Sequence, residues 1–274
     1  MIGPILRRAE AGRQPGYREI ALLLQANGTD HQALLEAAGR ITRACRGEGT
    51  TSRGVISLAV ESTLDAPVEA ACAAVRMGCK SVIIQREGPV DPDRIGDLVR
   101  RIKRTVPVHL ALCLGERSYD DYALWRHAGV DQYILPHETC NLIAYAQLFP
   151  GRTPADRVTR YLWLRGLGYE VGGGLLTACV SRDSTGVVGD LEMLMNINTE
   201  SVVIRQDSDP ADLYKLLAVL RLCLPSADLW VKGESTEIES TALNIGANVR
   251  LVDVCGVPRL PALARQTASF ATLL

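Results

Sequence analysis

Three groups of residues in this sequence have the types and spacing to do chemistry. His137, Glu138 and Thr139 place an imidazole, a carboxylate and a hydroxyl in succession, and His137 is the histidine positioned for general acid or base work. Lys232 is one of four lysines, with Lys80, Lys103 and Lys215, among 30 basic residues, the remainder being arginine. A lysine desolvated between apolar walls can act as a Schiff-base nucleophile, and Lys232 is the candidate; a salt bridge to Glu234 or Asp253 is the competing reading. The third group stands at or just beyond the ends of short apolar runs: Gln85 and Glu87, Glu116, and Arg205 with Asp207. Carboxylates gathered in one place can bind an amine, a ribose hydroxyl pair or a metal, because each offers several lone pairs. The four histidines, His31, His109, His127 and His137, show neither H-x-x-x-H nor H-E-x-x-H spacing, so no metal site is expected.

What must position these residues is an alternation of strands and helices. The first fifty residues read as helices, broken at Asn27-Gly28, with Thr29 or Asp30 as the cap of the second. Apolar β-type runs then fall at 54–60, 81–85, 108–114, 132–136, 173–180, 201–205, 228–232 and 248–254, each followed by a segment of helical periodicity. Near-continuous apolar strands separated by helices indicate a parallel sheet covered on both faces. Eight such units, with no G-x-G-x-x-G after the first strand, favour a (βα)8 TIM barrel over an open doubly wound sheet. The expected organisation is an N-terminal helical extension over 1–50 and a barrel over 51–274, one domain overall. The extension is expected to close or flank the barrel, and Trp125 and Trp163 to pack in its core. In such a barrel the strand ends that carry the polar residues form the active-site face.

Composition narrows the partners. A net charge of -1 over 274 residues leaves no electrostatic footprint for nucleic acid or an anionic membrane. The N-terminus is charged within its first eight residues, and no apolar run reaches the length of a membrane span, so a soluble cytoplasmic protein is expected. Eight cysteines scattered through apolar stretches fit reduced thiols better than a disulfide framework.

The segment ILPHETCNLIAYAQLFPGRTPADRVTRYLWLRGLGYEVGGGLL resembles the central part of the radical S-adenosylmethionine (SAM) barrels of the HydE, biotin synthase and PylB group, and the HydE-type hydrogenase maturases most. In that group a strand ends in R-H-E-T, a helix carries L-H-P-G-x-S-F-E-x-R, and L-G-Y-x-x-G-x-G leads into the next strand. Upstream, VIIQREG and LALCLGERSYDDYALWRHAGVDQYIL resemble the group's L-Q-S-G-E and S-L-G-E segments. The resemblance spans roughly 15 to 255 and is densest through 80 to 180. It implies that Glu138 matches a carboxylate meeting bound SAM and Arg157 the arginine that pairs with the SAM carboxylate, a task suited to a guanidinium fork.

The departures from the group are equally specific. Such enzymes hold a 4Fe-4S cluster on C-x3-C-x2-C after the first strand, yet no cysteine occurs from Arg53 through Ala71. The arginine before H-E-T is Pro136, the small polar residues of S-G-E are Arg86, Glu87 and Gly88, and C-V-S-R-D stands where G-L-P would follow the fifth strand. A substitute cluster from Cys113, Cys140, Cys179 and Cys255 is set against cysteine's usual role as a small buried hydrophobe. The expectation is therefore a cluster-less, radical-SAM-like barrel: a pseudoenzyme binding a small molecule, or a non-catalytic partner of a radical SAM homologue or other cofactor-assembly protein. SAM or a related compound is the ligand the resemblance implies. A redirected enzyme using Lys232 and His137, and a carrier of an adenosyl ligand, are the alternatives.

Overall fold

A computed structural model describes residues 2–58, 64–86, 88–177, 184–206 and 208–254. Glu87, Cys179, Asp207 and Cys255, singled out above, lie outside the described residues. Eight parallel strands, β1 (Thr51–Ser57), β2 (Ser81–Gln85), β3 (His109–Cys113), β4 (Gln132–Ile134), β5 (Glu170–Leu176), β6 (Ser201–Arg205), β7 (Asp228–Lys232) and β8 (Val249–Asp253), alternate with helices. Their order, β7-β6-β5-β4-β3-β2-β1-β8, is that of a (βα)8 barrel. Three strands, β2, β6 and β7, have the bounds their apolar runs suggest. β1 starts earlier than its apolar run because Arg53, a charged residue, is buried there and donates to Gln132 Oε1 at 2.8 Å. β5 starts earlier as well, at the exposed Glu170, which pairs with His109 at 3.0 Å.

The chain packs as two compact units: Met1–Thr50, Pro136–Pro154 and Gly173–Val249 form one, and Thr51–Leu135, Ala155–Gly172 and the described part of Arg250–Leu274 the other. The N-terminal helices Gly3–Glu10, Tyr17–Leu24 and Gly28–Arg46 belong to the first. The third begins at Gly28, with Asn27 in the capping position, so Thr29 and Asp30 lie within its first turn rather than before it. There Asp30 complements the partial positive charge of the helix N-terminus. Helix Gly28–Arg46 packs on helix Pro210–Cys223, which is buried almost all round, from Leu213 and Leu216 to Leu222. A helix apolar on every face requires cover on every face, and each fully buried leucine contributes about 1.5–3 kcal/mol. The extension supplies that cover and is part of this core. Ala37, Ala38 and Gly39 make its contact face thin; a Cβ at Gly39 would meet the Asn244 carbonyl at 3.1 Å.

One buried cation organises the far end of this unit. Arg221 is fully buried, and its guanidinium donates to the carbonyls of Gly246, Pro225 and Ala227 and to Asn248 Oδ1, at 2.7 to 2.9 Å. Asn248 Oδ1 also accepts from Leu229 N, and Asn248 N donates back to Leu229 O at 3.0 Å, joining β7 to the start of β8. Burial lowers the Arg221 pKa to about 10, which leaves it protonated at neutral pH.

The second unit has an aromatic core. Trp125 and Tyr133 stack 6.2 Å apart, and Tyr122 and Tyr169 meet the Tyr133 ring edge-on at 4.9 and 6.0 Å. Each polar tip is used: Trp125 Nε1 donates to Pro92 O, Tyr169 to Tyr122 O and Tyr133 to Gly115 O. Trp163, expected in the core, is instead half-buried on its helix, where Tyr119 and the Arg160 guanidinium cover its ring. Among the described residues no helix is long and apolar enough to cross a membrane.

Arg221→Leu is expected to lower stability by about 3–5 kcal/mol in urea unfolding, because it strands buried carbonyls without a donor. A loss below 1 kcal/mol would show that water replaces the guanidinium.

Candidate functional site

In the first unit the site is built on a backbone constraint. The fifth strand carries Gly173 and Gly174 where a Cβ would meet Leu194 Cδ2 at 2.4 Å and Pro136 Cβ and Val203 Cγ1 at 2.7 Å. Glycine lets the segment after β4 come so close that Gly174 O accepts both the His137 N–H, at 3.1 Å, and the Glu138 N–H, at 3.0 Å. Thr139 N then donates to His137 O at 2.9 Å around Glu138, whose φ is +69°. A hydrogen bond spanning three residues about such a φ is the rare γ-turn, and a non-glycine residue held there marks a place where the fold tolerates strain.

This turn sends consecutive side chains to different partners. Glu138 is buried and its Oε2 lies 2.5 Å from Arg205 Nη2 at the end of β6. His137 is 1% exposed, with Nε2 3.4 Å from Asp190 Oδ1, and Nδ1 has no hydrogen-bond partner among the described residues. Asp190, on helix Ser184–Asn196, is 2% exposed and accepts from the Cys140 N–H as well as from its thiol. Burial, then the Asp190 charge, pushes the Cys140 thiol far up, so it is no free nucleophile. Asn141 caps the following helix, Leu142–Leu148, by accepting from Ile143 N and Ala144 N. Lys232 ends β7 half-buried, paired in register with Arg205. Gln206, between them in sequence order, is a fastener: its N–H donates to Lys232 O and its Oε1 accepts from Glu234 N.

The second unit carries a separate polar centre. Arg157, on helix Pro154–Gly166, places Nε 2.7 Å from Glu116 Oε1, with both side chains 5% exposed. Arg160, one turn on, reaches Glu116 Oε2 at 4.0 Å. The Glu116 loop is pinned on both sides, since Gly115 O accepts from the Tyr133 hydroxyl at 2.8 Å and Arg117 N donates to the Tyr122 hydroxyl at 2.9 Å. Ser118 and Asp121 then close a reciprocal capping box on the next helix. Gln85, at the end of β2, donates to Ser57 Oγ at 2.9 Å. Cys113 ends β3, paired in register with Gln85.

Of the residues the sequence singles out, the structure brings His137, Glu138, Arg205 and Lys232 to the strand ends of one unit and Gln85 and Glu116 to those of the other, where Arg157 reaches Glu116 from helix Pro154–Gly166. Glu87 lies outside the described residues. Glu138 and Arg157, matched by resemblance to one ligand's contacts, have different protein partners, Arg205 and Glu116. Asp190 escapes a reading based on strand ends. Its signal is an acid on the apolar stripe of a helix, between the buried Val187 and Leu194.

The strand order and the alternation with helices define a (βα)8 barrel. The chain is 32% identical over 177 residues to the [FeFe] hydrogenase maturase subunit HydE of Thermotoga maritima, covering 59% of this chain and 51% of that protein. It therefore spans about half the length of the curated relative it matches. No family model matches the chain. In fold it superposes on HydG, a maturase of the [FeFe]-hydrogenase, with a TM-score of 0.80 at 16% identity over 92% of this chain and 68% of the other. Methylornithine synthase (PylB) gives a TM-score of 0.79 at 18% identity over 98% and 99%. The chain is thus similar to HydE over 177 residues and shares the barrel fold of HydG and PylB.

Two outcomes follow from this geometry. Arg157→Met is expected to cost about 3–5 kcal/mol by leaving Glu116 buried with a weaker partner, and adding Glu116→Leu should recover at least half of that loss in a double-mutant cycle. In an alkaline titration followed by tyrosinate absorbance, Tyr122, Tyr133 and Tyr169 should stay protonated beyond the exposed tyrosines. Burial raises Tyr122 from 10.0 to about 12, so the folded state holds its proton where the unfolded chain loses it. The resulting stabilisation is complete below pH 10 and disappears as the pH rises through about 12.

Proposed function

We propose that this protein is a cluster-less radical-SAM-like barrel, a pseudoenzyme that binds a small ligand bearing an amine and a carboxylate. In this reading it serves a radical SAM homologue or another cofactor-assembly protein as a non-catalytic partner. The observation that carries the reading is the segment after β1, which has no cysteine from Arg53 through Ala71. The first thiol beyond it, Cys72, lies within helix Asp65–Arg76, and Cys79 is buried. Three thiolates on one short loop are what a site-differentiated 4Fe-4S cluster needs, and these positions do not fit that demand.

The ligand class is supported by charges of both signs at the strand ends of the first unit. Glu138 can accept from an ammonium, while Arg205 and its register neighbour Lys232 can take a carboxylate. An amphoteric ligand exchanges the Glu138–Arg205 contact for two of its own, so neither buried charge is left alone. SAM is the ligand that the relation to HydE suggests, and in this barrel it would be held rather than cleaved, because reductive cleavage requires the cluster. The relation to a hydrogenase maturase supports a place in metallocofactor assembly.

Anaerobic reconstitution with iron and sulfide tests this reading. No stoichiometric cluster should form, and a stable cluster that becomes paramagnetic on reduction would overturn it. Equilibrium dialysis with labelled SAM is expected to detect binding that Arg205→Ala weakens roughly tenfold or more, the loss of a hydrogen bond between charged groups.

A further inference from the structure

His137, Cys140 and Asp190 come together from two distant stretches of the first unit, and their ligating atoms all lie within 4.8 Å of one another. We propose that this triad is a binding site for a single divalent ion of the zinc class. The inference does not rest on the reading of the barrel as a pseudoenzyme.

Geometry and chemistry support it independently. A tetrahedral ion with bonds of about 2.0–2.3 Å separates its nitrogen, oxygen and sulfur ligands by about 3.4–3.6 Å. His137 Nε2 and Asp190 Oδ1 already stand 3.4 Å apart, so small rotations that bring in the Cys140 sulfur complete the triad. His137 is the second, independent observation. It is 1% exposed, and neither ring nitrogen has a hydrogen-bond partner among the described residues, although a buried imidazole ordinarily satisfies both. An ion on Nε2 answers that deficit.

The charges agree. A divalent ion with one thiolate and one carboxylate is neutral, whereas Asp190 without it is a carboxylate 2% exposed whose ion-pair neighbour is a histidine at 3.4 Å. A mixed nitrogen, sulfur and oxygen set suits zinc; magnesium and calcium call for oxygen ligands throughout. Met193 Sδ, 3.8 Å from Cys140 Sγ, is a soft neighbour for the fourth position, which water can also fill. On binding, the thiol proton leaves to solvent and the sulfur–metal bond forms. The Cys140 N–H also donates to Asp190 Oδ1, which holds that oxygen beside the thiol.

The test titrates the full-length chain with Co2+ under reducing, anaerobic conditions. A thiolate-to-cobalt band in the near ultraviolet and intense tetrahedral visible bands should saturate at one ion per chain and vanish on adding Zn2+. Cys140→Ser should abolish the near-ultraviolet band and Asp190→Asn weaken binding roughly tenfold or more, while Cys45→Ser on the exposed cysteine leaves both unchanged. A spectrum without the near-ultraviolet band, or one that persists in Cys140→Ser, overturns the site. The unaltered protein gives a second readout that needs no folded variant. Zn2+ should slow alkylation of Cys140 relative to Cys45 in peptide mass spectra, and equal rates with and without Zn2+ overturn the proposal. Reconstitution of an iron–sulfur cluster would overturn the pseudoenzyme reading and leave this test unaffected.

Discussion

The close approach of Pro136 to Gly174 sets the positions of His137 and Glu138 in the first unit. A Cβ at residue 174 would lie 2.7 Å from Pro136 Cβ, so only glycine admits the contact, and only the contact lets Gly174 O accept two successive N–H groups. Those bonds force the turn at Glu138 to a φ of +69°. A turn that tight directs neighbouring side chains apart, which is how His137 reaches Asp190 while Glu138 reaches Arg205. Relaxing that turn would move both pairs together, because they share one strained peptide link.

The charges in both units are buried in ways that add little stability. The pairs Glu138–Arg205 and Glu116–Arg157 are largely removed from water, and such pairs about break even against apolar replacements of the same shape. Arg221 differs, because its donors are spent on backbone carbonyls that would otherwise lack partners. Its role is to hold the chain between β7 and β8 together. The carboxylates of both arginine pairs stand just beyond strand ends, the face on which barrel enzymes keep their chemistry.

A barrel scaffold and an iron–sulfur cluster place different demands on a sequence. The barrel needs apolar strands, covering helices and the glycines of β5, all of which are present. The cluster needs thiolates on one loop, a local demand on which the barrel's stability does not depend. The two can therefore part without loss of fold.

Much of this was legible in the sequence. The apolar runs gave the strand count and, for β2, β6 and β7, the bounds, because a strand buried on both faces leaves a local signal. His137, Glu138, Arg205 and Lys232 could be picked out because barrel strand ends fall directly after those runs. Arg53 and Glu170 hid the true starts of β1 and β5, since a charged residue reads as loop until its partner across the sheet is known. Asp190 stayed hidden for the same reason: an acid within an apolar helix has no meaning until the fold sets it against His137 and Cys140. The periodicity of the chain thus determined the barrel. Tertiary structure alone decided which charges meet, because pairing depends on contacts between residues far apart in sequence, and neither Glu138 with Arg205 nor His137 with Asp190 is joined by any local pattern.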